Sequence, residues 1–245
     1  MGEQVKNGNK RAKLYCLGVG PGDPELLTIK GLRLLQEVDY LAAPLKDGKP
    51  GLAWQIVKAL PELNGLEEKF LALDIPMTSD SAALKRIYDR EAEKLAELLN
   101  EGHSVAVLTV GDPSFYATAY ELYSRLSAQG FETELIPAVS SIFAVAAKAG
   151  MELASGSQNI KIIPSSLNYE QLREELLNET YDSYVLMKAA KIVDPLRELI
   201  QANFKDYQAV VAAKVGFPDE LIINLSDTEE GYAWPYFTTI LLKIS

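Results

Sequence analysis

At 245 residues the chain is too long for a minimal single core and long enough for two compact domains. Its 48% hydrophobic and 24% charged residues are ordinary globular values and exclude wholesale disorder. A net charge of −10 argues against a broad nucleic-acid-binding surface, which needs a basic face, and leaves room only for a local basic patch.

Residues 1–12 are polar and are expected to be a disordered tail. Leu14 to Val19 is a short apolar run closed by glycine, the pattern of a buried strand. Pro24 to Glu37 reads as a helix, Val38 to Ala43 as a strand, Leu52 to Leu60 as a short helix and Phe70 to Leu73 as a third strand. Residues 81–100 give the clearest helix, with Leu84, Ile87, Tyr88, Leu95, Leu98 and Leu99 on one face. Strands at Ser104 to Val110 and Phe131 to Ile136 flank a helix from Pro113 to Ala128. Strands alternating with helices imply a parallel sheet with right-handed crossovers.

The second half differs. A helix near 140–149, a strand at 160–163, a helix near 168–178, a strand at 183–187 and a helix near 191–202 lead to three closing strand-like runs. Those runs, Ala209 to Ala213, Leu221 to Leu225 and Phe237 to Ile244, have no helix between them and so pair antiparallel. The expected fold class is therefore α/β, with an N-terminal domain over 13–137, built on a parallel sheet, and a C-terminal domain over 138–245, built on a mixed sheet. With no low-complexity linker between them, the halves are expected to pack closely around a cleft.

Counts of rare residues narrow the chemistry. The single cysteine, Cys16, excludes an intrachain disulfide. Together with the single histidine, His103, it excludes a zinc cage of those ligands, so no metal site is expected. Sparse thiols point to a reducing, cytoplasmic setting. No run reaches the roughly 18 apolar residues of a membrane helix; the longest, 141–149, is broken by Lys148. The polar start is not that of a signal peptide, and Lys6 stands where a myristoylation motif after Gly2 wants Ser or Thr. His103 reads as a turn residue, and Cys16 as a small buried hydrophobe.

Two turns carry the functional signal. Gly18-Val19-Gly20-Pro21-Gly22-Asp23-Pro24 follows the first strand, where glycines let a backbone approach a ligand closely. A dinucleotide fingerprint would need glycine at Asp23, no Walker lysine follows, and the carboxylate has the wrong sign for pyrophosphate. The plainer reading is that Asp23 caps a helix whose first residue is Pro24. Gly111-Asp112-Pro113 repeats the pattern after a second strand. Both lie at carboxyl ends of expected parallel strands, the edge where open α/β sheets bind ligands. Two carboxylates among backbone donors suit a cationic or hydroxyl-rich ligand.

These segments, Leu17 to Thr28, Val110 to Tyr116 and Pro137-Ala138-Val139-Ser140-Ser141, resemble in that order the tetrapyrrole methylase family. The likeness continues through Val185-Leu186-Met187-Lys188, Phe217-Pro218-Asp219-Glu220 and Pro235-Tyr236-Phe237, and covers nearly all of the chain beyond the tail. Asp39 to Pro44, Phe115 to Thr118 and Leu186 to Lys191 look most like the branch that methylates precorrin-2 or cobalt-factor II at C20 in cobalamin synthesis. The family usually has glycine where Ala138 stands.

The resemblance implies the tetrapyrrole methylase fold, S-adenosylmethionine as methyl donor bound in the interdomain cleft largely by backbone groups, and S-adenosylhomocysteine as product. It places Pro21, Val110, Gly111, Asp112, Phe115, Ser140, Ser141, Met187, Val215 and Pro235 around the donor. It also implies a small-molecule tetrapyrrole acceptor and a homodimer, with no nucleic-acid or membrane partner. In-line attack on a sulfonium methyl needs alignment more than acid–base help, which fits a chain without a histidine base or cysteine nucleophile. The C20 proton must still leave, and Tyr236 is the favoured carrier, with Asp23 next. Because a polycarboxylate acceptor is repelled by a chain at −10, a local basic rim is expected from Lys46, Lys188, Lys191 and Lys214. Methylation at C11 or C17, diphthine-type methylation, or a non-catalytic tetrapyrrole or nucleoside carrier of the same fold are the rival readings.

Overall fold

The computed structural model describes residues 12–76, 80–163, 167–178 and 181–244; of the expected tail, only Ala12 falls among them. The chain divides into two compact units, Met1–Ser140 and Ser141–Ser245.

The first unit contains β1 (Leu14–Gly18), α1 (Ile29–Glu37), β2 (Tyr40–Lys46), β3 (Lys49–Pro50), α2 (Leu52–Lys58), β4 (Phe70–Leu73), α3 (Ser81–Asn100), β5 (Val105–Thr109), α4 (Thr118–Ala128) and β6 (Thr133–Ile136). The strand order is β3-β2-β5-β1-β6, with β4 also paired to β2. Every pairing is parallel except β2 with β3, a hairpin turned by Asp47 and Gly48 at φ 52° and 73°. That is the left-handed pair an Asp-Gly hairpin turn needs. Val105 to Leu108 are buried without alternation, as expected of a strand covered on both faces. Leu95 and Leu99 from α3 and Leu122 and Leu126 from α4 pack with Leu14, Val105 and Val107 in one core. Each such leucine contributes about 1.5–3 kcal/mol by leaving water. Cys16 sits in that core, donates to the Ala119 carbonyl at 3.2 Å, and burial pushes its thiol up to about 12.

Two expected helices are shorter in the structure. Pro24 to Glu37 is not continuous: Asp23 caps a single 3₁₀ turn over Pro24–Leu26, Leu27 is extended, and Thr28 caps α1 by accepting from Gly31 N at 3.0 Å. Pro113 to Ala128 becomes helical only at Thr118, because Tyr116 adopts φ 49°. The second strand starts at Tyr40, two residues later than expected, since Asp39 accepts from the Ser104 amide and hydroxyl at 2.8 and 2.7 Å.

The second unit contains α5 (Ser141–Lys148), β7 (Ile160–Ile163), α6 (Tyr169–Asn178), β8 (Ser183–Met187), α7 (Val193–Asn203), β9 (Tyr207–Ala213), β10 (Leu221–Asn224) and β11 (Thr238–Ile244). Its sheet runs β10-β9-β11-β8-β7, parallel only between β7 and β8. The closing runs are antiparallel as expected, but β11 does not add beside β10; it inserts between β9 and β8. Two α/β domains with a mixed sheet in the second are thus the observed fold.

Candidate functional site

In the first unit, the parallel strands β1, β5 and β6 end together, so the segments after Gly18, Thr109 and Ile136 share one edge. There the two glycine turns are joined to each other. Val19 N donates to Thr109 O at 2.9 Å, and Gly111 N donates to Gly20 O at 2.7 Å in an isolated antiparallel bridge. Gly20 and Gly111 have φ 83° and 74°, left-handed values that disfavour any side chain. A Cβ on Gly18 would lie 2.5 Å from Gly111 O, 2.6 Å from the Ala138 Cβ and 2.9 Å from the Pro113 Cδ, so three segments converge on a residue that has to be glycine.

Asp112 closes this edge. Its Oδ2 accepts from Ala138 N at 2.8 Å, while its Oδ1 accepts from Ser114 N at 2.9 Å and from the Ser114 hydroxyl. Burial pushes the carboxyl upward, but the Ser114 hydroxyl and the two backbone amides outweigh it and hold Asp112 below its ordinary value. The carboxylate therefore ties the turn after β5 to the one after β6. Ala138 stands where the family has glycine; its φ is not left-handed, so the turn tolerates a side chain there.

Of the other expected donor contacts in this unit, Pro21 is buried, while Val110, Phe115 and Ser140 are half-buried. Phe115 packs its ring 4.6 Å from that of Tyr116. Asp23 is half-buried, and its Oδ1 accepts from Glu25 N at 3.0 Å, so the capping reading is realised.

In the second unit, antiparallel pairing of β11 with both β8 and β9 brings Thr239 opposite Met187 and Thr238 opposite Ala213. The ends of β8 and β9 and the entry to β11 therefore share one sheet edge, which gathers Met187, Lys188, Lys214, Val215, Pro235 and Tyr236. Met187 and Pro235 are half-buried, Val215 is buried, and Ser141 begins α5. Lys188 and Lys214 both have positive φ, 55° and 51°. Strained backbone of this kind costs about 1–3 kcal/mol and collects at functional sites. The Lys188 ammonium lies 5.4 Å from the centre of the Tyr236 ring, and the Tyr236 side chain is 45% exposed.

The expected basic rim is uneven. Lys46 and Lys191 are exposed, Lys188 covers Tyr236, and Lys214 is ion-paired with Asp219. Sequence reasoning missed Glu220 as a brace of the Val215 loop: it accepts from Gly216 N at 2.6 Å and pairs with Lys148 at 2.8 Å. Only the closeness of the Pro-Asp-Glu run to a loop glycine hinted at it. Among the described residues there is no group of three or more His, Cys, Asp or Glu able to hold a metal, and no helix long and apolar enough to cross a membrane.

A largely parallel-stranded unit with bridged glycine turns at its carboxyl edge, followed by a mixed-sheet unit, defines a two-domain α/β protein with an open ligand-binding edge. Residues 13–228 match the Tetrapyrrole (Corrin/Porphyrin) Methylases, and the chain belongs to that family. It is 32% identical to the probable cobalt-precorrin-2 C(20)-methyltransferase of Methanocaldococcus jannaschii over 212 residues, 86% of each chain. It is 31% identical to the precorrin-2 C(20)-methyltransferase of a Sinorhizobium species over 238 residues, 94% of each. The fold is also that of uroporphyrin-III C-methyltransferase from Thermus thermophilus, solved in complex with S-adenosylhomocysteine. That structure has a TM-score of 0.63 and 21% identity, covering 94% of this chain and 97% of that one.

Proposed function

We propose that the protein is an S-adenosylmethionine-dependent C-methyltransferase that methylates C20 of precorrin-2, or of its cobalt-bearing form, in cobalamin biosynthesis. The observation that carries the donor site is the bridged glycine pair. Gly111 is buried, yet a Cβ added there would meet nothing within 4 Å. A ligand is thus able to approach the main chain where a side chain would otherwise stand. Val110, Gly111 and Pro21 would hold the donor through peptide groups, with Ser140 and Ser141 supplying hydroxyls and Phe115, Met187, Val215 and Pro235 apolar contact. Two relatives named for C20 of precorrin-2, each matching this chain over most of both lengths, support the acceptor.

When bound, S-adenosylmethionine supplies a methyl group on a sulfonium sulfur, which C20 takes with release of neutral S-adenosylhomocysteine. The chain's own contribution is alignment and exclusion of water, which suffice for much of the acceleration in such a displacement. Tyr236 relays the proton that C20 must shed, its phenol oxygen taking that proton as its own hydroxyl proton passes to water, and Lys188, against its ring, meets an acceptor carboxylate together with Lys191 and Lys46. Asp23, held in its cap, is the second candidate for the proton. Asp112 sets the donor loop by tying Ala138 to it. We take the enzyme to act in the cytoplasm as a homodimer, in line with its sparse thiols and its family.

Labelled S-adenosylmethionine with metal-free and cobalt-loaded acceptor, in parallel, tests this. Stoichiometric S-adenosylhomocysteine and a product methylated at C20 are expected with at least one acceptor. Acceptor binding without release of S-adenosylhomocysteine would identify a carrier and overturn the catalytic reading.

A further inference from the structure

The stretch that delivers Pro235 and Tyr236 to the sheet edge is anchored from α7. Arg197, with a side chain only 12% exposed, donates through Nη1 to Thr228 O at 2.6 Å and to Thr228 Oγ1 at 2.9 Å. One helical turn earlier, Asp194 Oδ2 accepts from Gly231 N at 2.9 Å, and Arg197 lies 3.5 Å from Asp194 Oδ1. Spacing of i and i+3 puts both side chains on one face of α7. They grip the chain at Thr228 and at Gly231, where φ is 76°. At the far end Thr238 Oγ1 donates to Pro235 O at 2.6 Å. Between the grips, Trp234 packs against the core of the second unit, with its ring 4.7 Å from that of Tyr232.

Among the described residues, the buried Trp234 Nε1 of this assembly has no hydrogen-bond partner, and Asp194 Oδ1 has only its long ion pair with Arg197. An unpartnered buried donor costs about 1–3 kcal/mol. A turn kept for stability alone has no reason to retain it, whereas a segment held in one particular place for chemistry does.

We propose that Asp194 and Arg197 are positioning residues that clamp residues 228–231 and thereby set where Tyr236 stands at the sheet edge. This rests on the reading of Tyr236 as the proton relay, and the clamp itself has a readout that does not. With Trp54 changed to Phe, Trp234 is the remaining tryptophan. Arg197→Met keeps the aliphatic stem and removes the donors, and Asp194→Ala frees Gly231 N.

In ligand-free protein, either change should raise acrylamide quenching of Trp234, and Arg197→Lys should restore part of the protection. In turnover, Arg197→Met should lower kcat by about tenfold to a hundredfold, the scale of a small misplacement of a reacting group. Donor KM should stay unchanged. Combined with Tyr236→Phe, it should add little further loss, because both act through one hydroxyl. Unchanged quenching in Arg197→Met and Asp194→Ala overturns the clamp. Increased quenching with losses that simply add overturns positioning through Tyr236. If Tyr236→Phe alone leaves turnover intact, the proton reading fails, while quenching still decides whether the clamp holds its segment. Should Arg197→Met fail to fold, Asp194→Ala and Arg197→Lys carry the same comparisons.

Discussion

Gly111 N donates to Gly20 O at 2.7 Å, joining two turns that are 91 residues apart in sequence through backbone alone. Both residues hold left-handed φ, so any side chain at either position would strain the bridge. It fixes the carboxyl edge of the first sheet.

Gly18→Ala and Gly111→Ala should therefore fail differently. At Gly18 the new methyl would press on backbone and ring atoms at 2.5–2.9 Å, and overpacking of about 1–3 kcal/mol should appear in urea unfolding. At Gly111 the methyl meets open space, so the expected stability loss is the φ strain of about 1–2 kcal/mol. The larger effect there should be on affinity for S-adenosylhomocysteine, measured by calorimetry. Undiminished affinity in Gly111→Ala would remove this turn from the donor site.

Asp112→Asn should cost about 1–3 kcal/mol, since an amide cannot accept all three bonds that the carboxylate takes. The folded Asp112 carboxyl lies below its ordinary value, so its stabilisation is full above the unfolded value, about 3.9, and is lost as pH falls through the lower folded one. The stability gap between wild type and Asp112→Asn should accordingly close in acid. A gap that widened on acidification would contradict the assignment.

Tyr236→Phe removes one hydroxyl from a side chain already exposed at the sheet edge. Turnover should fall by roughly a hundredfold or more, the range of acid–base help, while donor affinity stays the same. Single-turnover assays with equilibrium binding separate the two quantities.

Acceptor binding should weaken with salt more steeply than donor binding, because a chain at −10 must attract a polycarboxylate through local charge. Lys188→Ala and Lys191→Ala should flatten that slope. Lys214→Ala should change it little, as Asp219 already neutralises the ammonium. Equal slopes for acceptor and donor would dispose of the rim.

Several elements are legible in the residues themselves because their causes are local. The 3.6-residue apolar repeat of α3 and the short apolar runs of β4, β7 and β8 place those elements at the residues expected. Where local signals overlap, the reading blurs. Asp23 and Thr28 are both helix caps, and the structure uses both, splitting one expected helix in two. The helix after Asp112 is delayed to Thr118 by the left-handed Tyr116, which no apolar repeat reports.

For this protein, then, sequence alone determined most of the strands and helices, though not β3 or the breaks at Leu27 and Tyr116, that glycine turns end the strands, and which family the motifs resemble. Only tertiary structure decided that Gly20 bonds Gly111, that Asp112 holds Ala138, that β11 enters between β9 and β8, and that α7 grips the approach to Tyr236. Periodicity and capping act within a turn or two of chain. Strand order and close approach depend instead on which distant segments bury one another, and that choice is made only when the whole core packs.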